Sequence, residues 1–297
     1  MKPFILPEPR IRTLDGLKDL KKEIWDRLEF EPNAVEADRK DSVVFVGDLH
    51  GCLACLKDAV ECANSLKSDR IVFLGDYVDR GPEQFETLEG VLRLHLTYPK
   101  RVTVLRGNHE TGEMNKIYGF RSVLTKKFRG DMFRAMELCS DIYDVLPLVF
   151  RCGSYIGLHG GVPSQGRYSD VFEIPKPHSR LEELDDEKLS VMMDEIMWND
   201  PDESEGKFGV GKRGSPSRIF GEKAARTWLG EAGAEHLVRG HESSRGRFAS
   251  LWDGLVIHLY PSAVRKSPVP TVFGFKTSDG GFHVVHPSGA VKAVLVL

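Results

Sequence analysis

The chain has 297 residues, 41% of them hydrophobic and 29% charged, an ordinary balance for a folded globular protein that excludes a disordered or fibrous chain. Its 41 basic and 44 acidic residues leave a formal charge of −3, so no basic excess marks nucleic acid as a partner. No apolar run approaches the ~18–20 residues of a membrane span, and the proline-rich start, Met1 to Arg10, has too short an apolar run for a signal peptide.

Residues 1–13 read as an irregular arm, and Leu14, Leu17, Leu20, Ile24 and Leu28 recur at helical spacing, so 14–30 is predicted as an amphipathic helix. The polar stretch 31–41 reads as a loop, which closes an N-terminal arm and helix (1–41) ahead of one catalytic domain (42–297). Three strand–site–helix units follow. Val43 to Val46 leads into Gly47-Asp48-Leu49-His50-Gly51, and Ile71 to Leu74 into Gly75-Asp76-Tyr77-Val78-Asp79-Arg80-Gly81. Val102 to Leu105 leads into Arg106-Gly107-Asn108-His109-Glu110. Strands alternating with helical runs predict βαβ units and a largely parallel sheet.

Residues 111–144 read as helical, and 146–150 and 155–158 as strands, the second ending in His159-Gly160-Gly161. Loop is predicted over 165–180 and 198–217, and helix over 181–197 and 221–232. His236 to Arg239 reads as a strand running into Gly240-His241-Glu242. Runs at 255–260, 271–275, 283–286 and 291–296 read as a second, more antiparallel sheet.

The cysteines are Cys52, Cys55, Cys62, Cys139 and Cys152, an odd count without disulfide-like spacing that places the chain in a reducing, cytoplasmic compartment. Cys52-x-x-Cys55 falls in a helical run with Leu56, Ala59 and Cys62, and the expectation is that these thiols pack a helix face rather than bind zinc or form a redox pair.

A buried strand that ends in charged groups ends at a site, because charge there needs a partner or a metal. Asp48, His50, Asp76, Asn108, His159 and His241 all stand at such tips. They are oxygen and imidazole donors without a thiolate, a set that suits Mn, Fe or Zn. Two carboxylates, an amide and three imidazoles exceed what one open catalytic ion takes, and suit two ions sharing a carboxylate, the clamp used for displacement at phosphorus. Asp48 or Asp76 alone could cap a helix; capping does not account for three Asp- or Asn-bearing tips and two Gly-His tips together. His95, His178, His236, His258, His283 and His286 are read as core or surface histidines.

The three motifs at 47–51, 75–81 and 107–110 resemble the signatures of the phosphoprotein phosphatase family of serine/threonine phosphatases, calcineurin-like metallophosphoesterases. His159-Gly160-Gly161, Trp198-Asn199-Asp200-Pro201, Arg213-Gly214 with Phe220-Gly221, and Arg239-Gly240-His241 follow in the family's order, so the resemblance runs from about Val43 to about Leu259. It implies an α/β fold, a metallophosphoesterase β-sandwich of two mixed sheets flanked by helices, with the metal site at strand C-terminal ends. It implies removal of phosphate from phosphoserine and phosphothreonine in proteins by a hydroxide bridging two transition-metal ions (Mn, Fe or Zn).

The roles implied are these. Asp48 and His50 bind the first ion, Asp76 bridges, and Asn108, His159 and His241 complete the second. His109 protonates the leaving oxygen, Asp79 orients it, and Arg80 and Arg213, with Asn108, hold the phosphate. Arg106 supports the loop, and Glu110 and Glu242 stand behind the ligands or start helices. The segment Tyr260 to Arg265 departs from the family's Ser-Ala-Pro-Asn-Tyr-Cys loop and lacks its tyrosine and cysteine, which alters the expected inhibitor response. A diadenosine tetraphosphate hydrolase of the same scaffold is the first alternative, and Asp79 and Glu110 count against it. A catalytically dead binding module is the second, and no ligand position is broken. Phosphoproteins are the implied partners; the sequence specifies no regulatory subunit.

Overall fold

The computed structural model describes residues 2–204, 206–262, 271–287 and 290–295. In chain order its first strands are Ala34–Ala37 (β1), Val43–Val46 (β2), Arg70–Phe73 (β3), Val102–Val104 (β4), Val149–Cys152 (β5) and Tyr155–Leu158 (β6). The pair Asp200–Pro201 (β7), Phe208–Val210 (β8) and Arg218–Phe220 (β9) come next. His236–Arg239 (β10), Phe248–Leu251 (β11), Val256–Leu259 (β12), Phe273–Lys276 (β13), Phe282–Val285 (β14) and Val291–Leu295 (β15) complete the set.

Two mixed six-stranded sheets form the centre, ordered β1-β5-β6-β10-β12-β11 and β15-β14-β13-β2-β3-β4. In the second, β2, β3 and β4 run parallel, with Phe45 opposite Val72 and Phe73 opposite Val104. All four residues of β2 are buried, as a parallel strand covered on both faces requires. The sheets face each other through Val43, Phe45, Val72, Leu74, Phe150, Val238, Ile257 and Phe282, an apolar layer that fixes where the strand ends meet. Gly157 sits in that layer because a Cβ there would press on Leu74 and on the Phe45 ring, each at 3.1 Å.

Several expectations are corrected. Residues 34–37 are a strand, β1, pairing with β5 through Ala34 opposite Val149 and Ala37 opposite Cys152. The C-terminal strands make no separate sheet. β11 and β12 extend the first, and β13 joins β2 antiparallel to extend the second. The helical stretch 111–144 is broken at Gly119, whose φ of 115° is open to glycine, and again at Arg129. The predicted helix at 181–197 is two, Arg180–Leu184 and Glu187–Trp198, and the loop at 165–180 holds a 3₁₀ turn at Tyr168–Glu173. The loop at 198–217 carries β7 and β8, which join β9 in a three-stranded sheet.

The helix Leu14–Leu28 buries Leu17, Leu20, Ile24 and Leu28, the face its spacing predicts, and packs into the same core as the helices after β2 and β3. Thr13 caps it by accepting from the Gly16 amide. The arm before it is tied down where Glu89 accepts from the amides of Arg10 and Ile11.

Cys52 and Cys55 are joined as a disulfide, against the expectation that both simply pack a helix face. Cys52 is the N-cap of the helix Leu53–Ser65, so its side chain turns back over the first turn, and the Cα atoms stand 5.2 Å apart. Cys62, Cys139 and Cys152 are buried thiols.

Candidate metal centre

The C-terminal ends of β2, β3, β6 and β10 and the loop after β4 converge on one buried cluster: Asp48, His50, Asp76, Asn108, His159 and His241. Asp76 is its hinge. Its Oδ2 lies 3.4 Å from His50 Nε2, and its Oδ1 lies 3.3 Å from His159 Nε2. One carboxylate thus faces two separate imidazoles with its two oxygens. His50 Nε2 is also 3.6 Å from Asp48 Oδ2. On the other side, Asn108 Oδ1 lies 2.9 Å from both His159 Nε2 and His241 Nδ1.

The tautomers follow from the hydrogen bonds. His50 Nδ1–H donates to the Val78 carbonyl at 2.8 Å, and His159 Nδ1–H to the Leu74 carbonyl at 2.9 Å. Each ring therefore turns an Nε2 lone pair toward Asp76, the arrangement in which a histidine serves a metal. Among the described residues His50 Nε2, Asp48 Oδ2 and His241 Nε2 are buried without a hydrogen-bond partner, a costly state for polar atoms unless a cation satisfies the cluster.

Burial pushes the imidazoles of His50, His159 and His241 well below their ordinary range, which keeps them neutral. The carboxylates go the other way. Burial lifts Asp48 to about 7 and Asp76 far above its usual value, with Asp48 adding repulsion at Asp76. Neutral imidazoles beside carboxylates short of positive charge fit divalent cations. Two groups bring ligand atoms within 4.8 Å of one another, His50 and His109 with Asp76, and His159 and His241 with Asp76; Asp48 stands beside the first at His50, and Asn108 beside the second.

Backbone strain is concentrated here. His50, Asp76, Asp79, Arg80 and His241 all have φ between 43° and 76°, unusual for residues with a Cβ. Gly107 lets the loop after β4 close in, since a Cβ there would run into Asp76 Oδ1. Glu110 holds the loops together. Its carboxylate accepts from the amides of Asp76 at 2.7 Å, Tyr77 at 2.9 Å and Gly107 at 2.9 Å.

His109 stands beside the cluster. Its Nδ1 bonds Asp79 Oδ2 at 2.8 Å, and its Nε2 accepts from Arg80 Nη2 at 3.0 Å. An imidazole nitrogen already engaged by a guanidinium is a poor metal ligand, although His109 Nε2 is 3.9 Å from Asp76 Oδ2. Asp79 is itself fixed by the Phe120 amide at 3.0 Å and Asn115 Nδ2 at 3.1 Å, and burial raises its pKa to about 6. Arg213, reached through the three-stranded sheet, is anchored by Asp200 Oδ2 at 2.7 Å and makes no hydrogen bond to the cluster among the described residues. Asp200 also pairs with fully buried Arg239 at 2.9 Å, and Glu242 pairs with both Arg239 and Arg245.

Arg106 is structural. It donates Nε–H to the Glu110 carbonyl at 3.2 Å and Nη1–H to His178 Nδ1 at 2.7 Å. Asn115, Asp200 and Tyr260 also stand at the site; the sequence marks Asp200 only as part of the Trp198–Pro201 motif and Tyr260 only as the start of the divergent segment, with no role for either. Asn115 has one visible signal, an amide opening a helix just after Asn108-His109-Glu110. Of the divergent segment 260–265, residues 263–265 lie outside the described residues.

A family profile of calcineurin-like phosphoesterases matches residues 42–244, the span that carries every residue of the cluster. The chain belongs to that family. The PP2A-like serine/threonine-protein phosphatase PPG1 of Candida albicans is 30% identical to this phosphoesterase over 260 residues, covering 87% of this chain and 58% of that protein. The serine/threonine-protein phosphatase 4 catalytic subunit of Saccharomyces cerevisiae is 28% identical over 232 residues, covering 77% and 71%. The chain therefore spans little more than half the length of the first of these relatives. In three dimensions it is similar to a Saccharomyces cerevisiae serine/threonine phosphatase described as resembling human phosphatase PP5, with a TM-score of 0.70, 23% identity, and 92% and 83% of the two chains covered. A cold-active protein-tyrosine phosphatase of a psychrophilic Shewanella shares the fold at a TM-score of 0.62 and 17% identity, covering 91% and 84%.

Proposed function

We propose that this phosphoesterase removes phosphate from phosphoserine and phosphothreonine in proteins. The observation that carries the reading is Asp76, one carboxylate facing His50 and His159 with separate oxygens, beside a His109–Asp79 pair that is not needed as a ligand. Cations held by the two groups, Mn, Fe or Zn by donor type, supply Lewis-acid charge to a phosphoryl group and acidify water. The named relatives are serine/threonine phosphatases, which supports the substrate class.

The chain's own residues do the rest. Arg80 presents two N–H groups on the exposed side of the cluster and binds phosphate oxygens, a task suited to a planar guanidinium. Arg213, held by Asp200, adds a second positive charge, and Asn108 offers its amide N–H₂. Phosphate binding draws Arg80 off His109 Nε2, and the bound dianion raises the proton affinity of that nitrogen. Asp79, bonded to Nδ1, then orients an imidazolium whose Nε2–H protonates the leaving serine or threonine oxygen.

Phosphoproteins are thus the proposed substrates, and the cytoplasm the proposed compartment; the buried thiols Cys62, Cys139 and Cys152 fit a reducing environment, whereas the Cys52–Cys55 disulfide counts against one. No helix among the described residues is long and apolar enough to cross a membrane. The test is a panel of phosphoserine, phosphothreonine and phosphotyrosine peptides with diadenosine tetraphosphate, assayed with added manganese. The highest kcat/KM is expected on a phosphoserine or phosphothreonine peptide. A kcat/KM for the dinucleotide above that for every peptide overturns the reading.

A further inference from the structure

Tyr260 directly follows β12 at the edge of the metal centre and is 5% exposed. Its ring centroid lies 6.0 Å from that of His50. Its phenol oxygen is 3.4 Å from Arg80 Nη1. A guanidinium has donors and no acceptor, so the oxygen accepts in this contact and the phenol proton remains to be given away. Among the described residues no acceptor takes it. Arg80 reaches Tyr260 with Nη1 and His109 with Nη2, so the phenol O–H, the two guanidinium branches and the His109 ring stand in one row beside the ligand cluster.

We propose that Tyr260 is a phosphate-contacting residue, donating its O–H to a non-bridging phosphoryl oxygen next to the pair supplied by Arg80. The assignment deepens the proposed phosphatase reading and rests on it for the identity of the anion. The donor geometry is specific to a residue with a long reach and a hydroxyl. Phenylalanine keeps the ring packed against His50 and loses the donor alone.

The test uses the full chain loaded with manganese and titrates inorganic phosphate by calorimetry and as an inhibitor of nitrophenyl phosphate hydrolysis. Tyr260→Phe is expected to weaken phosphate binding by about 10- to 100-fold, the scale of a hydrogen bond to a charged group, and to raise KM more than it lowers kcat. The loss is expected to persist in an Arg80→Ala background, since the contact is direct. Tyr260→His, which restores an N–H donor, is expected to bind phosphate more tightly than Tyr260→Phe and serves if the phenylalanine variant does not fold. Phosphate affinity within twofold of wild type in Tyr260→Phe overturns the assignment, and so does a loss that vanishes once Arg80 is alanine. If no phosphopeptide is hydrolysed yet phosphate affinity falls as stated, the assignment stands and the phosphatase reading fails. If phosphopeptides are hydrolysed and affinity is unchanged, the reverse holds.

Discussion

Asp79 Oδ2 and His109 Nδ1 lie 2.8 Å apart in a buried pocket, and that contact sets the direction of the ring: the other nitrogen must face Arg80 and the ligand cluster. Burial, Arg80 and Arg213 all push the His109 pKa down, so the proton needed for leaving-group protonation has to be favoured by Asp79 and by the substrate dianion. His109→Asn is expected to slow hydrolysis of alkyl phosphoesters by ~10²–10⁴-fold, the usual contribution of a general acid. The loss should shrink for nitrophenyl phosphate, whose leaving group needs less protonation. Equal losses on both substrates would place His109 among structural residues.

Asp76 is the carboxylate shared by both ligand groups, so Asp76→Asn removes the one charge common to them. Wild-type protein is expected to hold about two transition-metal ions per chain. The variant is expected to lose most of its activity and at least one ion, read by elemental analysis after dialysis. Near-native turnover with both ions retained would end the bridging assignment.

The metal cluster is legible in the sequence because its residues are tips of apolar strands and carry donor chemistry in their own types. What makes them a cluster is not. Glu110 acts by accepting backbone N–H groups from Asp76, Tyr77 and Gly107, and a backbone donor leaves no trace in the sequence. β1 reads as loop because Ala-Val-Glu-Ala is short and half polar; it is an edge strand whose partner, β5, lies more than a hundred residues on. The cysteine pair reads as helix packing because the N-cap position of Cys52 depends on where the helix begins, the least certain boundary in a sequence. β7 to β9 are hidden in a stretch rich in Gly, Asp and Lys, where pairing rather than composition makes the strands.

Glu110→Gln keeps the shape and turns one accepting oxygen into a donor facing amide protons. It is expected to weaken metal retention by ~10–100-fold, the usual effect of losing a group that orients ligands. Competition with a chelator reads this directly. Unchanged metal affinity would mean that Gly107 and the strained loop backbone hold Asp76 unaided.

Arg213 is tethered to Asp200 rather than to the cluster, and its side chain is 34% exposed. Arg213→Ala is expected to raise KM and lower kcat for every phosphomonoester, peptide or small, with metal content unchanged. A loss confined to peptide substrates would assign Arg213 to the peptide chain instead of the phosphate.

The last prediction concerns acid stability and a histidine outside the site. His178 Nε2 donates to Asn33 Oδ1 at 2.8 Å, and Asn33 is oriented by its own amide donating to the Ile174 carbonyl at 2.8 Å. His178 Nδ1 accepts from Arg106 at 2.7 Å, so both ring nitrogens are committed to the neutral form. Burial, with Arg106 and Lys176 nearby, pushes the pKa well below its ordinary value. The sign follows. The folded state refuses a proton that the unfolded chain takes up near pH 6.5, so unfolding binds more protons as pH falls. Stability from this residue is therefore complete above about pH 6.5 and is lost progressively below it, by up to ~1.4 kcal/mol per pH unit. His178→Gln can keep the donor to Asn33 without a titrating ring. It is expected to be less stable than wild type at pH 8, because the bond from Arg106 changes, yet to lose less stability between pH 6.5 and pH 4.5. Denaturant unfolding of metal-free protein at several pH values measures the difference in slope. Parallel curves for the two proteins would show that His178 takes up its proton while folded, and that the Arg106 bond does not hold it neutral.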